Sequence, residues 1–151
     1  VTAGAGVSTA LACDFIIAEE NAKFGMVLMT RGMVGGTYLL PRLVGLHRAT
    51  ELILLGETFG ARKAESLGLL YKVVPPEKLE EESMALVRRL AEAPTAAIGI
   101  AKTAIHRGLD MSLREGMEYQ GLALSLSIMT DDFREGVMAF TEKRKPVFSG
   151  K

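Results

Sequence analysis

Gly4-Ala5-Gly6 stands at the head of an apolar segment, Val7-Ser8-Thr9-Ala10-Leu11-Ala12-Cys13, that ends at Asp14. A glycine-rich bend running into a helix directs several backbone N–H groups without helical acceptors, and the positive end of the helix dipole, at one spot. An oxyanion or a phosphate settles there without any charged side chain. A dinucleotide fingerprint would need a third glycine where Thr9 stands and a strand leading in, and that pattern is not met. The other reading is structural, because glycines at a helix start let helix and strand approach closely.

The remaining reactive side chains are scattered. His47 stands at a helix start beside Arg48, and His106 lies near a helix end, where an imidazolium suits the dipole. Neither falls into a ligand or triad spacing, so both read as structural or surface residues. Cys13, the single cysteine, excludes an internal disulfide and reads as a small buried apolar residue. Glu80-Glu81-Glu82 reads as a solvated helix face, and no metal-ligand cluster is visible. Phe140-Thr141-Glu142-Lys143-Arg144-Lys145 ends the chain's last helical stretch with cations that complement its dipole and would equally suit phosphate groups.

Composition narrows the classes. The 151 residues are 48% hydrophobic and 24% charged, enough for a core and unlike a disordered chain. Eighteen basic and eighteen acidic residues cancel, so no global field points to nucleic acid. No apolar run approaches the roughly 18 residues of a membrane helix. No signal-peptide pattern leads the chain, and the expected compartment is the cytoplasm.

The elements that must position these residues are mostly helices. A first helix is expected from Gly4 to Cys13, then short strands at Asp14–Ala18 and Lys23–Val27. Thr37 is placed to cap a helix through Leu43, with Pro41 tolerated near its first turn. Helices follow over His47–Leu55 and Ala61–Leu67, ended by Gly56 and Gly68, and then a strand over Leu69–Val74. Glu77–Ala91 and Thr95–Arg107 are amphipathic helices. Ser112-Leu113-Arg114-Glu115 matches the capping-box pattern, and Asp132-Phe133-Arg134-Glu135 repeats it. Three short, separated strands cannot form an ordinary sheet, so their partners are expected elsewhere.

These pieces, in order, carry a resemblance. Gly4 through Asp14, Phe24-Gly25, Gly35-Gly36-Thr37 through Gly45, Ala64-Glu65-Ser66-Leu67-Gly68-Leu69, Asp131 through Gly136 and Phe140 through Pro146 together resemble the crotonase (enoyl-CoA hydratase/isomerase) superfamily. The resemblance covers essentially the whole chain and implies an α/β fold. Residues 1–75 would be the carboxy-terminal part of a ββα spiral core, and 76–151 a helical region for trimerisation and coenzyme A contact. The implied activity is that of an acyl-CoA hydratase or isomerase that stabilises a thioester enolate. Coenzyme A enters as part of the substrate, with no separate cofactor and no metal. The expected assembly is a homotrimer or hexamer, with neither nucleic acid nor membrane as partner.

The resemblance also assigns residues. Ala5 matches a backbone oxyanion donor whose partner donor lies upstream of this chain in the family. Phe140 and Lys143 match positions that approach the coenzyme A nucleotide. The acid–base positions depart from the hydratase pattern. Ser8 and Leu28 stand where hydratases carry two glutamates that activate water. Ser8 would hold a water only weakly and cannot act unaided as a base near neutral pH. Relatives that place an Asp just before Gly-Gly-Thr have residues there that this chain lacks, since Val34 runs directly into Gly35. Either the protein lacks those residues or a mobile loop segment belongs at that junction, the second being the expectation. A non-catalytic subunit that binds acyl-CoA esters or only assembles is the alternative.

Overall fold

The computed structural model describes residues 1–151. The chain divides into two compact units, Val1–Met84 and Ala85–Lys151.

In the first unit, β1 (Thr2–Ala3) runs parallel to β3 (Lys23–Gly25), which pairs antiparallel with β4 (Thr58–Gly60). A second sheet joins β2 (Ile17–Glu19) and β5 (Lys72–Val74) in parallel. The strands are shorter than expected, three residues each at Ile17–Glu19, Lys23–Gly25 and Lys72–Val74, but they find partners within the chain rather than standing as orphans. Two were not foreseen, because β1 and β4 are held by pairing and carry no alternation of their own. Phe24 and Phe59 are register partners on β3 and β4, and their rings stack with centroids 6.0 Å apart.

Short helices cover these sheets: α1 (Ala5–Leu11), α2 (Leu39–Val44), α3 (Leu46–Leu55) and α4 (Ala61–Ser66). Val7 and Leu11 of α1, Leu40 of α2, and Leu52 and Ile53 of α3 join Phe24, Met26, Phe59 and Val73 in one buried cluster. Gly56 ends α3 in the left-handed conformation that side chains resist. Tyr38, not Thr37, takes the N-cap position of α2, and no side chain bonds to that helix start. The expected strand at Asp14 begins only at Ile17, because Cys13 and Asp14 form the bend that leaves α1.

The helix α5 (Leu79–Ala91) carries the chain into the second unit, which contains α6 (Thr95–Gly108), α7 (Leu113–Ile128) and α8 (Asp131–Thr141). Ser112 caps α7 as its sequence predicts. Its hydroxyl accepts from Glu115 N–H, and the Glu115 carboxylate accepts from Ser112 N–H at 2.9 Å. The repeated pattern behaves differently. Thr130 caps α8, and Asp132 lies inside the helix with its carboxylate turned to the tail. No helix is long and apolar enough to cross a membrane.

Candidate functional site

β1 delivers the chain to Gly4, whose N–H donates to the Gly25 carbonyl at 2.9 Å. Gly4 then adopts φ 55° and ψ −120°, a combination open only to glycine. This sharp change of direction starts α1. The Gly4 carbonyl accepts from Val7 N–H at 3.1 Å and Ser8 N–H at 3.4 Å. Ala5 and Gly6 are therefore the first-turn residues whose N–H groups have no acceptor in the helix, and both are exposed. The turn offers a neutral, fixed pair of donors beside the dipole's positive end.

The wall next to that turn is apolar. A Cβ built on Gly4 would lie 3.1 Å from Cδ2 of Leu28, and one on Gly35 would lie 2.3 Å from its Cδ1. The Leu28 side chain thus occupies space that two glycines leave open. Gly36, at φ +72°, is equally close to Met26, whose Cε would meet an added Cβ at 2.0 Å. Leu28 thus lies against Gly4, the residue before Ala5, and Ser8 is half-buried in the turn of α1 that Ala5 begins. Neither Ser8 nor Leu28 supplies a carboxylate.

Phe140 and Lys143 belong to the second unit, at the end of α8. Lys143 N–H donates to the Phe140 carbonyl and Arg144 N–H to the Ala139 carbonyl, at 3.3 and 3.0 Å. This double closure normally places glycine at the left-handed position, yet Lys143 fills it with φ 53°. Arg144 braces the turn: its two terminal nitrogens bond both Glu135 carboxylate oxygens at 2.5 and 2.9 Å, and its Nε bonds Glu142 at 2.6 Å. Glu135 also accepts from Val147 N–H at 2.7 Å. The guanidinium, then this N–H, hold the Glu135 carboxyl down to about 2, from an ordinary 4.5. Glu135 and then Glu142 push the Arg144 guanidinium pKa up in turn.

The tail beyond this turn is fastened to the start of α8. Asp132, 2% exposed, accepts from Ser149 N–H at 2.6 Å and from Gly150 N–H at 3.0 Å. Asp132 N–H donates to the Lys151 carbonyl. Glu135 and Asp132 were not singled out from sequence as organisers of this end. Their partners lie 9 to 18 residues away, beyond any helical spacing.

Cys13 is exposed rather than buried, since it sits on the bend after α1, where its N–H donates to the Ala10 carbonyl and its thiol to the Thr9 carbonyl. His47 and His106 are both exposed. No group of three His, Cys, Asp or Glu side chains is placed to hold a metal ion.

Comparison with known proteins agrees with the residue pattern. The family described as enoyl-CoA hydratase/isomerase matches residues 1–151. The 1,2-epoxyphenylacetyl-CoA isomerase of Escherichia coli is 42% identical, covering 100% of this chain and 59% of its own. That match runs over 158 positions, more than the 151 residues here, so the relative carries residues without counterpart in this chain. The trans-2-decenoyl-acyl-carrier-protein isomerase of Streptococcus mutans is 38% identical over 99% of this chain and 58% of its own. The crystal structure of enoyl-CoA hydratase from Bacillus anthracis superposes with a TM-score of 0.95 at 38% identity, over 99% of this chain and 59% of that one. The chain spans less than two thirds of the length of these relatives.

Proposed function

From the premise that the chain belongs to the enoyl-CoA hydratase/isomerase family, we propose that it acts on acyl-CoA thioesters by stabilising an enolate. The observation that carries this reading is the Gly4 turn, which leaves the Ala5 N–H without a helical acceptor at an exposed position. Removing the α-proton of a thioester puts negative charge on its carbonyl oxygen. A preorganised N–H holds that charge best when it needs no reorientation during reaction. The returning proton re-forms a C–H bond at another carbon in an isomerase, whereas water adds across the double bond in a hydratase.

Leu28 favours the first outcome. Its side chain against Gly4 and Gly35 gives the turn an apolar wall where a hydratase would hold water through a glutamate. The Ser8 hydroxyl is not a base at neutral pH, so the group that takes the α-proton lies elsewhere. The same features suit the second reading, a subunit that binds acyl-CoA esters without turnover. Exposed apolar side chains on α6 and α7, around a groove of about 850 Å³, support assembly into a trimer or hexamer.

The test is Ala5→Pro. Proline is accepted at the first helical position but lacks the N–H. Turnover of an unconjugated enoyl-CoA, followed as the gain of conjugated-thioester absorbance, is expected to fall about 10²–10³-fold with helix content unchanged. Rapid hydration of crotonyl-CoA by the unaltered protein would overturn the isomerase preference. Binding of acyl-CoA without any turnover would favour the non-catalytic reading.

A further inference from the structure

Beyond the turn at Lys143 the chain does not leave α8 but runs back along it. Arg144 N–H bonds the Ala139 carbonyl, and the Arg144 guanidinium and Val147 N–H bond Glu135. The Phe148 ring then lies 3.7 Å from a Cβ built on Gly136. Ser149 and Gly150 reach the start of the helix through their N–H groups, both of which donate to Asp132. The same segment meets the connection from α5 into α6. Lys145 Nζ lies 3.0 Å from the Glu92 carboxylate. Gly150 comes so close to Thr95, the first residue of α6, that a Cβ on it would stand 2.5 Å from Thr95 Oγ1. Gly150 also has φ +76°, so both its conformation and its approach to α6 require glycine.

We infer that residues 144–151 form a strap, with Asp132 as its catch, that ties the first turn of α6 to α8 and frees that turn when it lifts. A carboxylate held out of water needs donors, and at Asp132 the strap's backbone supplies them, so the catch reads the path of the chain and not its side chains. The tip that this catch holds is the part that touches Thr95. Asp132 on α8 therefore governs the freedom of α6 through a segment that belongs to neither helix. Ala97 and Ile100, in the first turns of α6, line the groove of about 850 Å³, so the seated strap also fixes one rim of that groove.

Hydrogen exchange in the full chain, read amide by amide, tests the tie. Ile98 N–H donates to the Pro94 carbonyl at 3.0 Å and reports the first turn of α6. Gly116 N–H donates to the Ser112 carbonyl at 2.9 Å and reports the start of α7. Asp132→Ala should speed exchange at Ser149, Gly150 and Ile98 together, by about tenfold, and leave Gly116 unchanged. Gly150→Ala should do the same without altering any helix, because its Cβ meets Thr95 and is strained at positive φ. Ser149→Ala keeps both N–H donors and should leave Ile98 as it is in the unaltered protein. Acceleration at Ser149 and Gly150 with Ile98 unmoved, in either lifting variant, would overturn the tie. Equal acceleration at Gly116 would overturn it too, since α6 would then be loosening with the whole unit. If Asp132→Ala does not fold, Gly150→Ala decides alone, and every amide unchanged in that variant would mean that the strap does not press on α6.

Discussion

The two units of this chain solve the problem of stability in opposite ways. Val1–Met84 buries nearly all of the apolar side chains that are buried at all, and Ala85–Lys151 contributes only Ala139 to that set. The first unit is built of strands two or three residues long and helices of six to ten, none of which would persist alone. Its order comes from a shared core. The second unit has the long helices, but most of its leucines and methionines, among them Met117 and Leu124, face outward. Its order comes from caps, a clamped turn and a fastened tail. Core and scaffold are thus separate properties: a unit with good helices is not thereby a unit with an interior.

The largest test of that contrast is truncation of apolar side chains. Leu40→Ala, at a fully buried position, should cost about 2–5 kcal/mol in denaturant unfolding. Leu124→Ala on α7 should change monomer stability by less than about 0.5 kcal/mol, its effect appearing instead in sedimentation as weaker assembly. Equal losses in a species that sediments as a monomer would break the contrast. Next in size is Asp132→Ala, expected to cost about 1–3 kcal/mol by orphaning the Ser149 and Gly150 N–H groups. Hydrogen exchange at those two amides should accelerate with it. Thr130→Ala removes the α8 cap, which accepts from Phe133 N–H at 3.1 Å, and should cost about 1 kcal/mol by thermal melting.

Acid should loosen the brace at the end of α8. The folded pKa of Glu135, about 2, lies below its ordinary 4.5, so the carboxylate's contribution is complete above 4.5 and is lost as pH falls toward 2. A pH series of melting temperatures should show Glu135→Gln losing less than the unaltered protein across that window. Parallel curves would mean that the bond to Arg144 contributes nothing to stability.

How much of this was legible in sequence follows from the range of each interaction. Ser112 and Glu115 are three residues apart, so the capping box could be read and is found. Asp132 and Glu135 have the same spacing, but Asp132 is claimed by Ser149 and Gly150 and the cap falls to Thr130. Local pattern cannot reveal a competitor seventeen residues away. The Ala5 turn was readable because Gly4 and Gly6 flank it at the head of an apolar segment, which marks a helix start under either reading of the glycines. Leu28's place at the site came only from the family resemblance, since its contact with Gly4 and Gly35 depends on how the chain folds back between Met26 and Gly36. The strained Lys143 left one faint trace, a helix end without the glycine that usually marks it.

One consequence of the β2–β5 ladder concerns time rather than stability. Ile17 pairs with Lys72 and Glu19 with Val74, in parallel, across nearly the whole of the first unit. A pairing of that span rewards the chain only after a long loop has closed. α7 and α8, whose caps are local, need no such closure. A full-length chain refolding from denaturant should therefore hold its carboxy-terminal helices while its second sheet is still open, with two unpaired strand edges exposed to any neighbour in the same condition.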